Sequence, residues 1–548
     1  VEKLTKILHE KIVTHAINRI FTNQELGEAL IELKKGLILA NKAEITNHLI
    51  AETGWILNIF DRLETSSKIT KMVNALLYSD GRKSFLEKVS KRIFRKKPEE
   101  IWLRLTALGG CREVGGSCLL IQTPESRVLL DCGIEVGKFE SLLPKFNVPE
   151  FNVQGLDAVI ISHAHLDHCG ATPYLFKLGY EGPIYCTRPT LDIMVLLQLD
   201  NYRVLQKKGI SPPYNEEHIR SVIAHSIPID YNKQINIAPD VKITLYNAGH
   251  VVGSSLVYLE ISQNSFLYTG DFCFLNTRFL ERAECNLTAD NLIIESTYGR
   301  KIDVHRARKA LESELIKTIK KTILRNGKVL IPVFAVGRSQ ELLLIIQEYM
   351  RSGTLEKIPV YIDGMVNEVN SIYLAYLDYL KESLQRRICH TRENPLYSPM
   401  FRIAKKKYRA KIITKEESAI ILATSGMLTG GPVIDYLKEL NYSNNTLIIV
   451  GYQVEGTPGR EILDGKKYIK LPTGEEIELR IEVVPLLFSA HADRPQLMNF
   501  VQSFSRVPKK IVVVHGEEET SLEFGQTLKN RIKAEVFVPR NLDAIRLL

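Results

Sequence analysis

The sequence predicts an α/β protein of more than one domain, and three observations support this fold class. The chain has 548 residues, which is longer than an ordinary single domain. From residue 101 onward, short apolar runs rich in β-branched residues alternate with turns that contain glycine. Over residues 303–446, such runs alternate with helical patterns, which is typical of a parallel sheet flanked by helices.

The composition is that of a globular protein and argues against several other classes. Hydrophobic residues make up 45% and charged residues 25% of the chain. No apolar run is long enough to cross a bilayer and no signal-peptide pattern follows Val1, so we expect no membrane partner. The eight cysteines are scattered and form no C-x-x-C pair, which favours a reducing, cytoplasmic location. The net charge of +9 fits a polyanionic partner without requiring one.

Residues 1–98 form an N-terminal region that is polar and has no cluster of catalytic side chains. Helical spacing of apolar residues is present at residues 23–33, 44–52 and 84–94. The region ends in a basic run from Arg92 to Pro98. Such a run is either a solvated linker or a contact with nucleic acid, and the sequence leaves both interpretations open.

Five apolar runs in the next segment end in a side chain that can bind a metal ion or exchange a proton. The runs end at Asp131, at the stretch Ser162–His168, at His250, at Asp271 and at Glu295. Chance would scatter such residues along the strands. Their shared position at the strand ends therefore predicts one site on one rim of a sheet.

The string H-x-H-x-D-H at residues 163–168 carries the strongest chemical signal in the chain. Three imidazoles and a carboxylate lie within six residues, directly after a short β-branched run. A lone histidine is usually a surface or core residue, but so many titratable groups in one turn are costly unless they bind something. Imidazole nitrogens and carboxylate oxygens are ligands that zinc takes at neutral pH, so the string predicts a metal site.

The α/β segment over residues 303–446 interrupts this pattern, and strand-like runs return over residues 447–548. Within the segment, Ser425 and Gly426 open a glycine-rich stretch between a strand and a helix. This stretch could hold a phosphate on backbone N–H groups, or it could be a tight turn alone. After the segment, two further runs end in His491 and His515, so we expect both flanks of the segment to contribute to the site.

Seven of these side chains suffice to hold two zinc ions. His163, His165 and His250 would hold one ion, Asp167, His168 and His515 the other, and Asp271 would bridge them, although spacing alone does not allot each histidine. Two metal ions ~3.5–4 Å apart can share a hydroxide for attack on a phosphodiester and also clamp the leaving oxygen.

The remaining polar residues at the strand ends suggest how protons are handled at the predicted site. His491 is the spare histidine and can protonate the leaving group, with Glu295 orienting its imidazole. Asp167 is assigned a catalytic role as well as a ligand role. Asp131 has no clear ligand position, so we expect it to support the ligands from behind.

These motifs resemble those of a known nuclease family. The metal motifs of the metallo-β-lactamase fold are matched by residues 163–168 together with Asp131, His250 and Asp271. The three additional motifs of the β-CASP nucleases are matched by Glu295, His491 and His515. The resemblance extends from about Arg104 to the end of the chain. It is closest to the archaeal homologues of the cleavage and polyadenylation specificity factor endonuclease.

The resemblance implies a specific architecture. A metallo-β-lactamase αββα sandwich would comprise residues 99–302 and 447–548, with a β-CASP domain inserted over residues 303–446. The inserted domain would cap the active site and leave a cleft for a single strand. Residues 1–98 would form a small α+β region similar to a KH domain. Its G-x-x-G clamp is replaced by Ala40 to Ala43, which hinders close approach of a nucleic-acid backbone, so RNA binding and a structural role both stay open.

The resemblance also implies an activity and partners. The family implies a zinc-dependent ribonuclease that cuts single-stranded RNA internally, in some members also as a 5′-to-3′ exonuclease. The cellular setting would be RNA 3′-end formation and transcription termination. Histidine at position 515 favours RNA, because DNA-cutting members commonly carry valine there. A homodimer is implied, with RNA polymerase or other termination factors as candidate partners.

Two other functions compete with the ribonuclease. A non-catalytic RNA-binding partner subunit of the same fold would be free to lose ligands, whereas every motif residue is present here. A hydrolase of small esters or lactams would have no need of a cap as large as residues 303–446. The fold alone does not decide among these functions.

Overall fold

A computed structural model of the chain describes residues 7–8, 16–39, 42–60, 67–95, 102–135, 143–415 and 417–548. Within these ranges, the N-terminal region is a small unit that includes three strands and three α-helices of ten residues or more. Strands β1 (Ile17–Asn23) and β2 (Glu28–Leu33) are antiparallel, and β3 (Ile56–Phe60) runs parallel to β2. The helices are α1 (Lys42–Thr53), α2 (Lys68–Leu77) and α3 (Lys83–Ile93).

The helix predicted over residues 23–33 is wrong, whereas those predicted at residues 44–52 and 84–94 are confirmed by α1 and α3. The chain reverses between β1 and β2 at Gly27, which has a positive φ of 60°. β2 is the central strand of its sheet and buries Ala29, Leu30, Ile31 and Leu33. A continuous apolar run that is buried on both faces does not reveal its period, so the sequence could not separate strand from helix.

The sandwich begins after this region. Its first part contains β4 (Arg104–Gly109), β5 (Cys118–Gln122), β6 (Arg127–Leu130), β7 (Ala158–Ile160), α4 (Leu166–Cys169), α5 (Thr172–Lys177), β8 (Ile184–Cys186), α6 (Arg188–Lys207), α7 (Glu216–His225), β9 (Ser226–Pro228), β10 (Gln234–Ala238), β11 (Val241–Asn247), β12 (Ser255–Ile261), β13 (Asn264–Tyr268) and β14 (Asn291–Glu295). The short helix α4 carries the last part of the histidine string, so a rigid sheet and helix hold that string in place.

The inserted domain follows β14. It contains α8 (Arg308–Leu324), β15 (Val329–Pro332), α9 (Arg338–Arg351), β16 (Val360–Asp363), α10 (Val366–Tyr373), α11 (Glu382–Thr391), β17 (Phe401–Ile403), α12 (Arg409–Thr414), β18 (Ile420–Ala423), α13 (Pro432–Glu439), β19 (Thr446–Ile449), α14 (Pro458–Leu463), β20 (Tyr468–Lys470), β21 (Glu476–Glu478) and β22 (Glu482–Pro485). Six of these strands form one parallel sheet in the order β17-β16-β18-β15-β19-β22.

The chain then returns to the sandwich. The returning elements are α15 (Arg494–Gln502), β23 (Lys510–Val514), α16 (Glu518–Arg531), β24 (Glu535–Phe537) and β25 (Ala544–Arg546). The chain therefore leaves the inserted domain later than the predicted boundary between residues 446 and 447. β19 and β22 both lie in the six-stranded sheet of the insert, although their apolar character matches that of the sandwich strands. The return falls after β22.

Two seven-stranded sheets face each other in the sandwich. Their strand orders are β25-β4-β5-β6-β7-β8-β9 and β10-β11-β12-β13-β14-β23-β24. Apolar side chains such as Ile121, Phe266 and Val512 are buried in one cluster between the sheets. On the outer faces, α4 to α7 pack against one sheet and α15 and α16 against the other. This is the predicted αββα arrangement, and it buries both faces of both sheets.

The N-terminal region packs against both other parts of the chain. Arg188 of α6 pairs with Glu28 and hydrogen-bonds the Tyr78 hydroxyl, 2.9 Å away. Asp192, one turn further along, accepts hydrogen bonds from Thr70 and from Tyr376 of the insert. Burial raises the pKa of Asp192 to about 6. The three units therefore meet at one buried carboxyl group.

Part of the sequence motif on which the KH-like prediction depends is not described by the structure. Ala40 and Asn41 of the altered G-x-x-G clamp lie outside the described residues, so the KH-like character of the region stays a prediction.

Among the described residues, no helix combines the length and apolarity needed to cross a membrane.

Candidate metal centre

Six strand ends from both sheets of the sandwich converge on one edge. β6 and β7 run parallel and end before Asp131 and the histidine string. In the other sheet, β11, β13, β14 and β23 share one direction. They end before or at His250, Asp271, Glu295 and His515. The prediction that all of these residues lie on the rim of one sheet is wrong, because the site lies between two facing sheets.

The first group of candidate ligands consists of three histidines. His163 Nε2 lies 3.2 Å from His165 Nδ1, and His250 Nε2 lies 3.1 Å from the same atom. Nitrogen ligands bound at the usual zinc distance in a tetrahedron are about 3.3 Å apart. The spacing of these three nitrogens therefore fits a single metal ion.

The second group contains Asp167, His168 and His515. Asp167 Oδ2 lies 3.5 Å from His515 Nε2 and 4.0 Å from His168 Nε2. Asp271 stands between the two groups, with its Oδ2 atom 3.3 Å from His168 Nε2 and 3.5 Å from His163 Nε2. One carboxylate oxygen is thus close enough to both groups to contact an ion in each.

The buried atoms of this cluster indicate that it holds cations. His168 Nε2 and His515 Nε2 are buried and have no hydrogen-bond partner in the described part of the chain. An unsatisfied buried polar atom costs about 1–3 kcal/mol, so two of them facing the same carboxylates need a ligand. Neutral imidazole and ionised carboxylate are the donor set that zinc prefers. These residues therefore fit a divalent metal.

Electrostatics prepares the first group for metal binding. Burial lowers the pKa of His165 to about 4 and holds the pKa of His163 and of His250 well below the usual value. An imidazole must be neutral to bind a metal, so these rings are ready at neutral pH. Burial opposes ionisation of Asp271, but the nearby imidazoles, led by His515, hold its pKa well below the usual value.

Asp131 orients His168 of the second group without being one of the candidate ligands itself. Its carboxylate accepts hydrogen bonds from the Ser162 backbone N–H, the Ser162 hydroxyl and the Tyr268 hydroxyl, each at 2.7 Å. His168 Nδ1 lies 2.7 Å from Asp131 Oδ2 and donates to it, which leaves His168 Nε2 facing the other ligands. This geometry favours the supporting role that the sequence predicts for Asp131.

His491 and Glu295 form a pair beside the two ligand groups. His491 Nδ1 lies 3.1 Å from Glu295 Oε2. Burial alone would lower the pKa of His491, but the carboxylates of Glu295 and Asp271 raise it to about 9. The Glu295 carboxylate also accepts hydrogen bonds from the Thr297 hydroxyl at 2.6 Å and the Phe272 N–H at 2.9 Å. These carboxylates therefore favour the protonated form of the imidazole.

Asp271, Glu295 and His491 form a third cluster of candidate ligand atoms. Ligand atoms of Asp271, Glu295 and His491 also lie within 4.8 Å of one another. Both Glu295 oxygens are already engaged by the protein, and the raised pKa of His491 opposes metal binding. The geometry therefore favours a proton-transfer pair at this position.

The backbone beside His491 is held by the insert. Arg308 of α8 donates to the Ser489 carbonyl at 2.9 Å, and Arg338 of α9 donates to the Phe488 carbonyl at 3.0 Å. Both guanidinium groups also pair with the buried carboxylate of Glu341. The next carbonyl, that of Ala490, lies 2.9 Å from His250 Nδ1 and accepts from it. A charged triad in the insert thus fixes a loop that touches two residues of the site.

Sequence reasoning missed several of these supporting residues. Tyr268 is distant in sequence from Asp131, which it supports, and the triad residues Arg308, Arg338 and Glu341 are distant from the loop before His491. Thr297 lies two residues after Glu295, and that proximity was the one available signal. Nothing in the spacing of the triad pointed to the site.

Ser425 and Gly426 are not brought into the metal cluster. They follow β18 at the carboxyl end of the insert sheet. Ser425 Oγ lies 3.0 Å from Thr429 Oγ1, and the Gly426 carbonyl accepts from Gln453 Nε2 at 3.0 Å. A Cβ on residue 426 would lie 2.9 Å from the Phe334 backbone nitrogen, so the close packing there requires glycine.

Fold and site together define a metal-dependent hydrolase of the metallo-β-lactamase superfamily with an inserted β-CASP domain. The model of the metallo-beta-lactamase superfamily domain matches residues 120–296, and that of the Beta-Casp domain matches residues 339–462. A third, the Zn-dependent metallo-hydrolase RNA specificity domain, matches residues 476–539.

The chain is similar over its whole length to curated archaeal proteins named transcription termination factor FttA. It is 42% identical to the protein of Methanocaldococcus jannaschii and to that of Methanothermobacter thermautotrophicus, over 100% of this chain and 88% of each relative. Identity to the protein of Lokiarchaeum sp. is 39%, over 97% of this chain and 86% of the relative. The chain belongs to the β-CASP family that contains these archaeal factors.

One solved structure agrees with the architecture alone. The crystal structure of a protein of unknown function from Enterococcus faecalis V583 has a TM-score of 0.50 and 15% sequence identity to this chain. The match covers 81% of this chain and 100% of that one. At this identity the likeness supports the fold and carries no information on function.

We predict that Glu341→Gln destabilises the protein and lowers its activity. The substitution leaves two buried guanidinium groups without their shared negative charge, which costs about 3–5 kcal/mol when a buried pair is broken. Chemical denaturation of the variant measures this loss, and its catalytic rate reports on the loop before His491.

Glu382→Gln is the matched control for the Glu341 substitution. Glu382 forms an exposed pair with Arg386 within α11, so the same chemical change there leaves stability and activity unaltered. Equal stability of the two variants would contradict the structural role of the triad.

Proposed function

We propose that this protein is a zinc-dependent ribonuclease that cuts single-stranded RNA internally. One observation carries the proposal: the Asp271 carboxylate lies within 3.5 Å of histidines from both ligand groups, next to the hydrogen-bonded pair of His491 and Glu295. A site with two metal positions and a nearby proton donor suits hydrolysis of a phosphodiester.

Each residue of the site has a role in this proposal. His163, His165 and His250 would hold one ion, Asp167, His168 and His515 would hold a second, and Asp271 would contribute to both positions. When bound, such ions supply Lewis-acid chemistry, which stabilises charge on a phosphoryl oxygen and lowers the pKa of water. The Asp131 carboxylate keeps the His168 ring in its orientation by accepting the Nδ1 proton.

The chain itself supplies the proton for the leaving group. Burial opposes the charged form of the His491 imidazole, but the Glu295 carboxylate, which lies outside both ligand groups, favours it and raises the pKa of His491. Glu295 accepts a hydrogen bond from His491 Nδ1, and among the described residues no hydrogen bond engages the other ring nitrogen. That nitrogen can therefore donate a proton to the 5′ or 3′ oxygen released by cleavage, after which the imidazole takes up a new proton from solvent water.

RNA as the substrate class is supported by the domain at residues 476–539, whose family description concerns RNA specificity. His515 belongs to that stretch and to the second ligand group. The insert also places a half-buried aromatic ring next to the site, since Tyr452 packs edge-on against the buried Tyr298 ring at 5.5 Å. Ser425 and Gly426 are proposed to hold a phosphate of the strand on backbone N–H groups.

The biological setting proposed is transcription termination through cleavage of the transcript. The curated relatives carry the name transcription termination factor, and their match to this chain extends over its full length. A homodimer and contact with RNA polymerase or other termination factors are further parts of this proposal. An RNA-binding role for the N-terminal region stands beside a structural one, and its packing on α6 and the insert supports the latter.

The alternatives are less well supported. A non-catalytic subunit would have no need for seven clustered ligands and an acid–base pair. A hydrolase of small molecules would have no need for a six-stranded domain beside the site.

We predict that Asp271→Ala abolishes internal cutting, with a fall in rate of at least about 1000-fold, because both metal positions lose their shared ligand. The measurement is digestion of a 5′-blocked, internally labelled single-stranded RNA by the zinc-loaded protein. Internal cuts by the wild-type chain vanish when a chelator is added.

The control for this experiment is His390→Ala, which removes an exposed histidine of α11 and leaves cutting unchanged. Undiminished cutting by the Asp271 variant would show that the site is wrongly assigned. Products that appear only stepwise from a free 5′ end would show that the protein acts as an exonuclease and not as an endonuclease. A wild-type protein that binds RNA without cutting it would favour the non-catalytic subunit.

His491→Ala is expected to separate proton transfer from metal binding. The variant retains the metal content of the wild type, since His491 lies outside both ligand groups, and cuts about 100- to 10,000-fold more slowly. Metal analysis of the dialysed protein, paired with single-turnover cleavage, measures both quantities. A parallel loss of metal and activity would instead make His491 a ligand.

A further inference from the structure

The carboxyl ends of the insert's six parallel strands form a continuous rim. In spatial order from β22 to β17, the residues that follow these strands are Leu486, Val450, Val333, Thr424, Gly364 and Ala404. Neighbouring strands are about 4.8 Å apart, so the rim is about 24 Å long. We call these strand ends the carboxyl rim.

The inner end of the carboxyl rim lies at the metal centre. The chain that leaves β22 reaches His491 within a few residues, and Tyr452 after β19 packs against Tyr298, whose ring is 6.2 Å from that of His491. After β15, a Cβ on Gly337 would lie 3.0 Å from Val251, the neighbour of His250. Ser425 and Gly426 occupy the middle of the rim. A strand bound along it would start at the catalytic groups.

The outer end of the carboxyl rim is strongly basic. Residues 401–415, which we call the basic outer segment, contain seven lysines and arginines and no acidic residue. Lys405, Lys406, Lys407 and Lys411 are all exposed. Within the described ranges, no ion pair joins these four lysines to a carboxylate, whereas Arg409 and Lys415 of the same segment are paired.

The basic outer segment is anchored rather than loose. Arg409 donates two hydrogen bonds to Asp363 at the end of β16, at 2.7 and 3.0 Å, and a third to Asp435 of α13 at 2.7 Å. The Ala404 N–H donates to the Ile362 carbonyl at 2.9 Å. Ala404 and Ile412 are buried on either side of the lysines. The fold thus holds several positive charges close together. A surface that is only solvated does not require such an arrangement.

Apolar and aromatic groups accompany the lysines. The Tyr408 side chain is 48% exposed and that of Ile403 is 53% exposed. The Lys407 ammonium lies 4.8 Å from the centre of the Tyr408 ring. Cations that follow a phosphate backbone, together with an exposed ring on which a base can stack, are the features of surfaces that bind single-stranded nucleic acid.

We propose that the basic outer segment binds the same single-stranded RNA that is cut at the metal centre, so that the carboxyl rim is an extended RNA track. This inference rests on the proposed ribonuclease function and adds a contact at the far end of the insert. RNA is the favoured occupant because the segment continues the rim that begins at His491. A duplex or an anionic membrane would have no use for that continuity.

The test compares two triple variants of the full-length protein. Lys405→Ala/Lys406→Ala/Lys407→Ala removes the outer cations. Lys317→Ala/Lys320→Ala/Lys357→Ala removes three exposed lysines from the same domain, in α8 and in the loop before β16, away from the carboxyl rim. Binding is measured by fluorescence anisotropy in chelator, at several salt concentrations, with RNAs of about four and about thirty nucleotides. Cleavage of both RNAs is then measured with zinc.

The outer variant is expected to bind the long RNA at least tenfold more weakly than wild type at low salt. Each lost phosphate contact lowers the slope of log affinity against log salt by about 0.7, so three lysines lower it by about 2. The short RNA is bound and cut as by wild type, and the control variant matches wild type throughout. Tyr408→Ala weakens binding of the long RNA at least fivefold with no change in the salt slope.

Other outcomes overturn the inference in distinguishable ways. Wild-type affinity and slope of the outer variant for long RNA would show that the segment does not contact RNA. A loss confined to binding of duplex DNA or of vesicles with anionic lipid would assign the segment to that partner instead. A wild-type protein that neither binds nor cuts either RNA would overturn the ribonuclease function itself.

Discussion

The Asp271 carboxylate, placed between imidazoles from both sheets, is the interaction on which the rest of the structure depends. It lies close to His163 and His168 from one sheet and to His515 from the other. Bringing these groups together removes them from water at one edge of the sandwich, which is unfavourable unless cations compensate. Strand direction, hydrogen-bond support and the position of the insert all serve to hold this arrangement.

Support for the ligands comes from outside the ligand set. Asp131 and the Ala490 carbonyl each accept a hydrogen bond from a ligand histidine and so fix which nitrogen faces the site. The Ala490 carbonyl belongs to a loop that Arg308 and Arg338 hold from the insert. The position of the insert is therefore coupled to the geometry of the metal centre, although none of the candidate ligands found among the described residues belongs to the insert.

The sequence was most informative where chemistry follows a strand directly. The string at residues 163–168, with Asp271 and Glu295, could be placed at strand ends because short β-branched runs precede these residues. The sequence does not show in the same way to which sheet each strand belongs. β19 and β22 are as apolar as sandwich strands, and only pairing across the insert assigns them to it. The Arg308–Glu341–Arg338 triad was equally invisible, because long-range charge pairing leaves no local pattern.

The most direct measurement of the central claim is anomalous diffraction at the zinc edge from crystals of the zinc-loaded protein. The account predicts two peaks per chain. One peak lies among His163, His165 and His250, the other lies among Asp167, His168 and His515, and both are in contact with Asp271, about 3.5–4 Å apart. A single peak, or a peak that Asp271 does not contact, would contradict it.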